Sequence, residues 1–141
     1  LILSKKEEMN TRLVMTISAL FLGIIGISLT FLPNEISFYI GISSAISFKL
    51  VLQILGALLF GFAMLNWMIK EGIIGGIYNR PAVIANFTHF FIGALALIKG
   101  VFAHNGLPCI FWIPTVAYMV FALLFGLILF RNPANEKKPT I

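Results

Sequence analysis

His89 is the side chain with the most chemistry to offer. It is ionisable, it lies deep inside an apolar run, and Asn86 precedes it by three residues. On a helical wheel at about 100° per residue, His89, Gly93, Gly100, Ala96 and Ala82 all fall within roughly 80° of one another, with Asn86 on the same arc. An imidazole there has two uses: a proton relay, or a hydrogen-bond donor to a ligand carbonyl. It equally suits a neutral histidine bonded to a neighbouring helix. Asn86 has the same two uses, as a ligand contact or as glue between helices. Tyr118 in the last apolar run is the best partner for His89. Side chains lean toward the N-terminus of their own helix, so His89 and Tyr118 lean apart, and a water or ligand between them is expected. Arg80 stands at the entrance of the His89 run and suits an anionic head group. Arg80, Asn86, His89 and Tyr118 therefore form the candidate ligand site. The apolar runs hold no acid to neutralise an imidazolium, so His89 is expected as the neutral imidazole, which donates one hydrogen bond and accepts another.

Asn66 lies at a depth similar to Asn86. It falls about 220° from Gln53 on its wheel, among Leu52, Leu55 and Leu59, away from the small residues of its run. It is expected outside the site.

Many chemistries lack their residues. No Asp or Glu lies in an apolar run, no second histidine matches the depth of His89, and Cys109 is the single cysteine. That leaves no haem pair, no thiol relay, no cluster of metal ligands and no Ser-His-acid set. The glycines at 72, 75 and 76 lack the Lys-Ser/Thr ending of a phosphate loop. No catalytic residues, metal or cofactor are expected.

These residues must be positioned by membrane helices. The 141 residues are 60% hydrophobic and 11% charged, where soluble domains carry about 25% charged residues. Four apolar runs, 13–32, 50–69, 82–102 and 110–130, each approach the ~20 residues needed to cross a hydrocarbon core. The first is too long for the apolar region of a signal peptide and is read as a span. The fold class is all-α: one polytopic membrane domain of four transmembrane helices in an up-down-up-down bundle. The net charge of +5 comes from residues flanking these runs and marks no nucleic-acid surface.

The loops set orientation. Lys5, Lys6, Arg12, Lys70, Arg80, Arg131, Lys137 and Lys138 share one side, against Lys49 and Lys99 on the other. The positive-inside rule places both termini in the cytoplasm of a bacterial cell, with the chain in the inner membrane. The first outer loop, 33–49, is oddly apolar. It predicts either a short interfacial helix or an earlier start to the second span. Pro81 suits the first turn of the third span, with Asn79 or Arg80 as its cap.

Small residues mark the faces expected to pack. They are Ala19, Gly23 and Gly26 in span one, and Gly56 and Gly61 in span two beside Gln53, Ala57, Phe60 and Met64. Span three offers Gly93 and Gly100, and span four Gly126 with Pro114, Thr115, Tyr118 and Ala122. Phe87, Phe91, Ile84, Leu95, Ile98 and Phe102 are expected on the opposite, lipid-facing side of span three.

Leu32-Pro33-Asn34 after span one, Gly56-Ala57 with Gly61-Phe62-Ala63 in span two, and Arg80-Pro81, Asn86 and His89 opening span three resemble small four-helix bacterial membrane proteins of the DoxX-like type. The resemblance covers the four spans and implies the bundle fold. Some DoxX-type proteins are associated with quinone-linked sulfur oxidation or redox-stress complexes, and this chain has no cysteine pair or metal set for that chemistry. The expected function is a non-catalytic accessory or scaffold subunit that holds membrane lipid or another apolar molecule. Two alternatives stand beside it: a small transporter or channel using a His/Asn path, and a quinone-binding subunit of a redox complex. The expected partners are lipid, a quinone or other apolar small molecule, and a larger membrane complex or a second copy of the chain.

Overall fold

The structure, a computed structural model, describes residues 10–42, 45–72, 79–104 and 106–130. Five α-helices follow one another: α1 (Thr11–Phe31), α2 (Pro33–Ile40), α3 (Ile46–Ile69), α4 (Arg80–Ala103) and α5 (Trp112–Phe130). A 3₁₀ turn over Cys109–Phe111 leads into α5. Among the described residues there is no strand. With that turn counted into the last span, four helices are long and apolar enough to cross a membrane. They correspond to the four runs expected. The tails and most of the loop between α3 and α4, with Gly75, Gly76 and Tyr78, lie outside the described residues.

Local chemistry explains the breaks. Asn10 caps α1, its side-chain oxygen accepting from the Leu13 N–H at 3.2 Å. Pro33 has no N–H to carry α1 onward, and it opens α2 at the first turn, where that N–H is not needed. Gly41, at φ 73°, ends α2. Its N–H bonds the Phe38 carbonyl at 3.1 Å and the next N–H, of Ile42, bonds Ser37 at 3.0 Å, a Schellman closure that favours glycine. The first outer loop carries a short helix, α2, and α3 begins at Ile46, four residues before the expected start of the second span. At α4, Asn79 occupies the cap position without a side-chain cap bond.

The helices pack as two close pairs, α1 with α3 and α4 with α5, and the pairs meet more sparsely. The first pair touches backbone to backbone. A Cβ on Gly26 would lie 2.8 Å from the Gly56 carbonyl oxygen, and one on Gly56 would lie 2.6 Å from that of Gly26. Ala19 is buried on the same face, and a Cβ on Gly23 would make ordinary contact with Ala63. The second pair interlocks through rings. Phe90 stacks on Phe121 and Phe125, with centroids 4.8 and 5.6 Å apart, and Gly126 lies beneath Phe87.

Two helices are turned from their expected faces. In α4 the buried residues are Val83, Asn86, Phe90 and Ala94, an arc centred roughly 80° from the predicted small face. Gly100 has open space where a Cβ would stand, and Phe87 packs against the core rather than facing outward alone. In α3 the buried residues are Leu52, Gly56, Leu59, Ala63 and Asn66. Ala57, Phe60, Gly61 and Met64 face outward, and Gly61 also meets open space. The packing expected at Gly61 and Gly100 is therefore not made within the chain. The reason is that α4 meets its neighbours through aromatic rings, which fill space better than a glycine stripe does. Large exposed side chains such as Ile24, Ile54, Phe91, Leu123 and Leu127 ring the outside, as a bilayer-facing surface requires.

Candidate functional site

Two features of the bundle merit description as sites: a polar knot near the end where α1 begins, and an apolar groove at the end that carries α2.

The knot is built by three helices. Asn66 of α3 and Asn86 of α4 lie face to face. The Asn66 Nδ2 donates to Asn86 Oδ1 at 2.8 Å, and the Asn86 Nδ2 donates to Asn66 Oδ1 at 2.7 Å. The second hydrogen of Asn66 goes to Ser18 Oγ of α1 at 3.0 Å. The second hydrogen of Asn86 goes to the Ala82 carbonyl at 2.8 Å. Ser18 passes its own hydrogen to the Met15 carbonyl at 3.0 Å. All three side chains are 0% exposed. Every amide hydrogen and oxygen is used, which a bilayer interior demands of buried polar groups.

The demotion of Asn66 is overturned. Ala57, Phe60, Gly61 and Met64 turn outward, while Leu52, Gly56, Leu59 and Ala63 turn inward with Asn66, so the inner side of α3 is centred away from Gln53. The signal that finds Asn66 is matched demand: two asparagines at similar depth in neighbouring spans each need partners that lipid cannot supply.

One turn further along α4, His89 contacts α3 and α5. Its Nε2 lies 3.2 Å from the Tyr118 hydroxyl, and its ring stacks on Phe62 with centroids 4.8 Å apart. Phe90 meets His89 edge-on at 5.2 Å. Direct contact replaces the expected bridging water or ligand. Gly93 explains it, because a Cβ there would lie 2.6 Å from Tyr118 Cε1. With no Cβ in the way, the phenol ring lies on the α4 backbone and its hydroxyl reaches back to His89. Tyr118 is held on its other sides by Phe90 and Phe21, with centroids 5.1 and 6.2 Å away.

Of the four candidate ligand residues, the structure brings His89 and Tyr118 together and gives Asn86 to Asn66. Arg80 is exposed at the first residue of α4. At the same end Arg12 bonds Glu71 at 3.1 Å, both side chains being exposed, and Lys70 lies 3.0 Å above the Trp67 ring. Among the described residues no three His, Cys, Asp or Glu side chains come together.

The groove lies between the second half of α1, α2 and the start of α5, and its volume is about 760 Å³. That is within the ~300–1,000 Å³ of small-molecule sites. Its walls include Phe21, Ile25, Leu29, Ile36, Phe111 and Pro114, with Ser28, Glu35 and Tyr39 as the polar residues. Pro33 and Ser37 are buried on the other side of α2 and anchor it to the bundle. A smaller apolar groove of about 360 Å³ follows the same α1–α5 seam at the opposite end. Between the two, Phe21 closes the seam by packing on Phe121 at 5.4 Å and on Tyr118.

Fold and sites together define a small four-span helical membrane protein with a sealed polar centre and an open apolar flank. Comparison with protein-family models, curated proteins and solved structures gives no match.

Proposed function

We propose that this protein is a small bacterial inner-membrane protein, without catalysis of its own, that holds a lipid or similar apolar molecule and serves as an accessory subunit. The observation that carries the reading is the groove of about 760 Å³ between α1, α2 and α5. In a bilayer such a groove fills with hydrocarbon rather than water, because its walls offer water few hydrogen bonds. The binding site moves accordingly, from the Arg80–Asn86–His89–Tyr118 set to the α2 end. Both amide hydrogens of Asn86 are donated within the bundle and its oxygen already accepts from Asn66. A conduction path past it would first have to break that pair.

The charge distribution of the flanking segments supports cytoplasmic termini, which puts α2 at the outer leaflet. The resemblance to DoxX-like proteins agrees with this architecture and is proposed as kinship of fold.

Native mass spectrometry of the protein released from detergent tests the reading. Wild type is expected to retain a lipid or a quinone. Ser28→Phe, which puts a ring into the groove wall, is expected to lose it while unfolding at the same temperature. Equal retention by both proteins would refute the groove as the seat.

A further inference from the structure

We propose that the groove seats one acyl chain of an aminophospholipid, with Glu35 receiving its ammonium group and Tyr39 its phosphate. The proposal rests on the groove being a ligand seat and names what kind of lipid it selects.

The argument starts from α2. Glu35 and Tyr39 are four residues apart, so they share one edge of the helix, and both are exposed. Ile36 and Ile40 stand beside them on the groove wall. α2 thus offers an apolar face to a chain and a polar edge to whatever that chain carries. The helix is fixed in this attitude from behind. Ser37, 1% exposed, bonds the Pro33 carbonyl, and Gly41 closes the last turn.

The chemistry of the edge decides the head group. Among the described residues lining the groove, Glu35 is the charged one, and no lysine or arginine accompanies it. A carboxylate without a cation repels an anionic head group and attracts an ammonium. A phenol hydroxyl donates to a phosphate oxygen. A zwitterionic amine head group carries both partners, at a separation that one turn of helix can span. An anionic glycerol head group carries a phosphate and no cation, so Glu35 opposes it. A quinone presents carbonyl acceptors, which Tyr39 alone can serve.

The full chain is placed in nanodiscs of equimolar phosphatidylethanolamine and phosphatidylglycerol, and the lipids it retains on release are counted by native mass spectrometry. Wild type is expected to favour phosphatidylethanolamine by roughly two- to five-fold, the range an exposed ion pair supplies. Glu35→Gln is expected to abolish that preference, and Glu35→Lys to invert it. Tyr39→Phe is expected to lower retention of both lipids. Both positions changed in these variants, Glu35 and Tyr39, carry exposed side chains, so folding is retained, and an unchanged thermal transition verifies it. A wild type with no head-group preference, or a preference that survives Glu35→Gln, overturns the proposal. In that case, retention that Ser28→Phe still abolishes leaves the groove reading standing. Retention that Ser28→Phe does not touch removes both. A quinone, or a second copy of the chain, in place of the phospholipid also overturns the proposal.

Discussion

The carboxamides of Asn66 and Asn86 exchange hydrogen bonds in both directions, at 2.8 and 2.7 Å, with neither side chain exposed. This pair links the α1–α3 half of the bundle to the α4–α5 half. Asn66→Leu or Asn86→Leu leaves the other amide buried without its partner, at an expected cost of about 1–3 kcal/mol. The double variant removes both demands together, so its cost is expected to fall well below the sum. Unfolding of the four proteins in mixed micelles measures the coupling, and strictly additive costs would contradict the pairing.

The backbone contact between α1 and α3 at Gly26 and Gly56 gives a second expectation. Gly26→Leu and Gly56→Leu each push a side chain into the facing helix, where a Cβ already falls 2.6–2.8 Å from a carbonyl oxygen. Each is expected to destabilise by at least 1–3 kcal/mol, or about the upper range of overpacking. Gly61→Leu and Gly100→Leu meet open space and are expected to stay within about 0.5 kcal/mol of wild type. Thermal unfolding in detergent ranks all four. A Gly61 variant as damaged as the Gly26 variant would mean that the outward face of α3 is covered by another chain.

Gly93 and Leu95 test the seat of Tyr118. Gly93→Leu must displace a ring that would lie 2.6 Å from the new Cβ, breaking its contact with His89, at an expected cost of about 1–3 kcal/mol. Leu95→Phe alters an exposed position and is expected to be tolerated. Tyr118→Phe keeps the ring and loses the 3.2 Å bond to His89, at about 0.5–1.5 kcal/mol. Equal stability of the Gly93 and Leu95 variants would refute this account of the face.

Cys109 reports orientation. It is exposed in the turn before α5, at the end of the bundle opposite the start of α1. With cytoplasmic termini it faces outward, and a membrane-impermeant thiol reagent is expected to label it in intact cells. Labelling that appears only once the membrane is opened would reverse the proposed orientation.

Sequence alone determined the number of membrane helices and nearly all of their bounds. Length and apolarity suffice for that, because a hydrocarbon core of ~30 Å demands about 20 apolar residues whatever the neighbours are. It also marked the end of α1, since Pro33, the first residue of the outer loop, acts locally. The packing faces of α1 and α5 were legible as well, at Ala19, Gly26, Thr115, Tyr118, Ala122 and Gly126. The rotations of α3 and α4 were not. In a soluble helix the polar side marks the outside, but here lipid and core are both apolar, so Leu59 inward and Leu58 outward look alike. Phe90 stacking on Phe121 and Phe125, and Asn66 meeting Asn86, decided those rotations. Both contacts join residues of different helices, and no single wheel contains them.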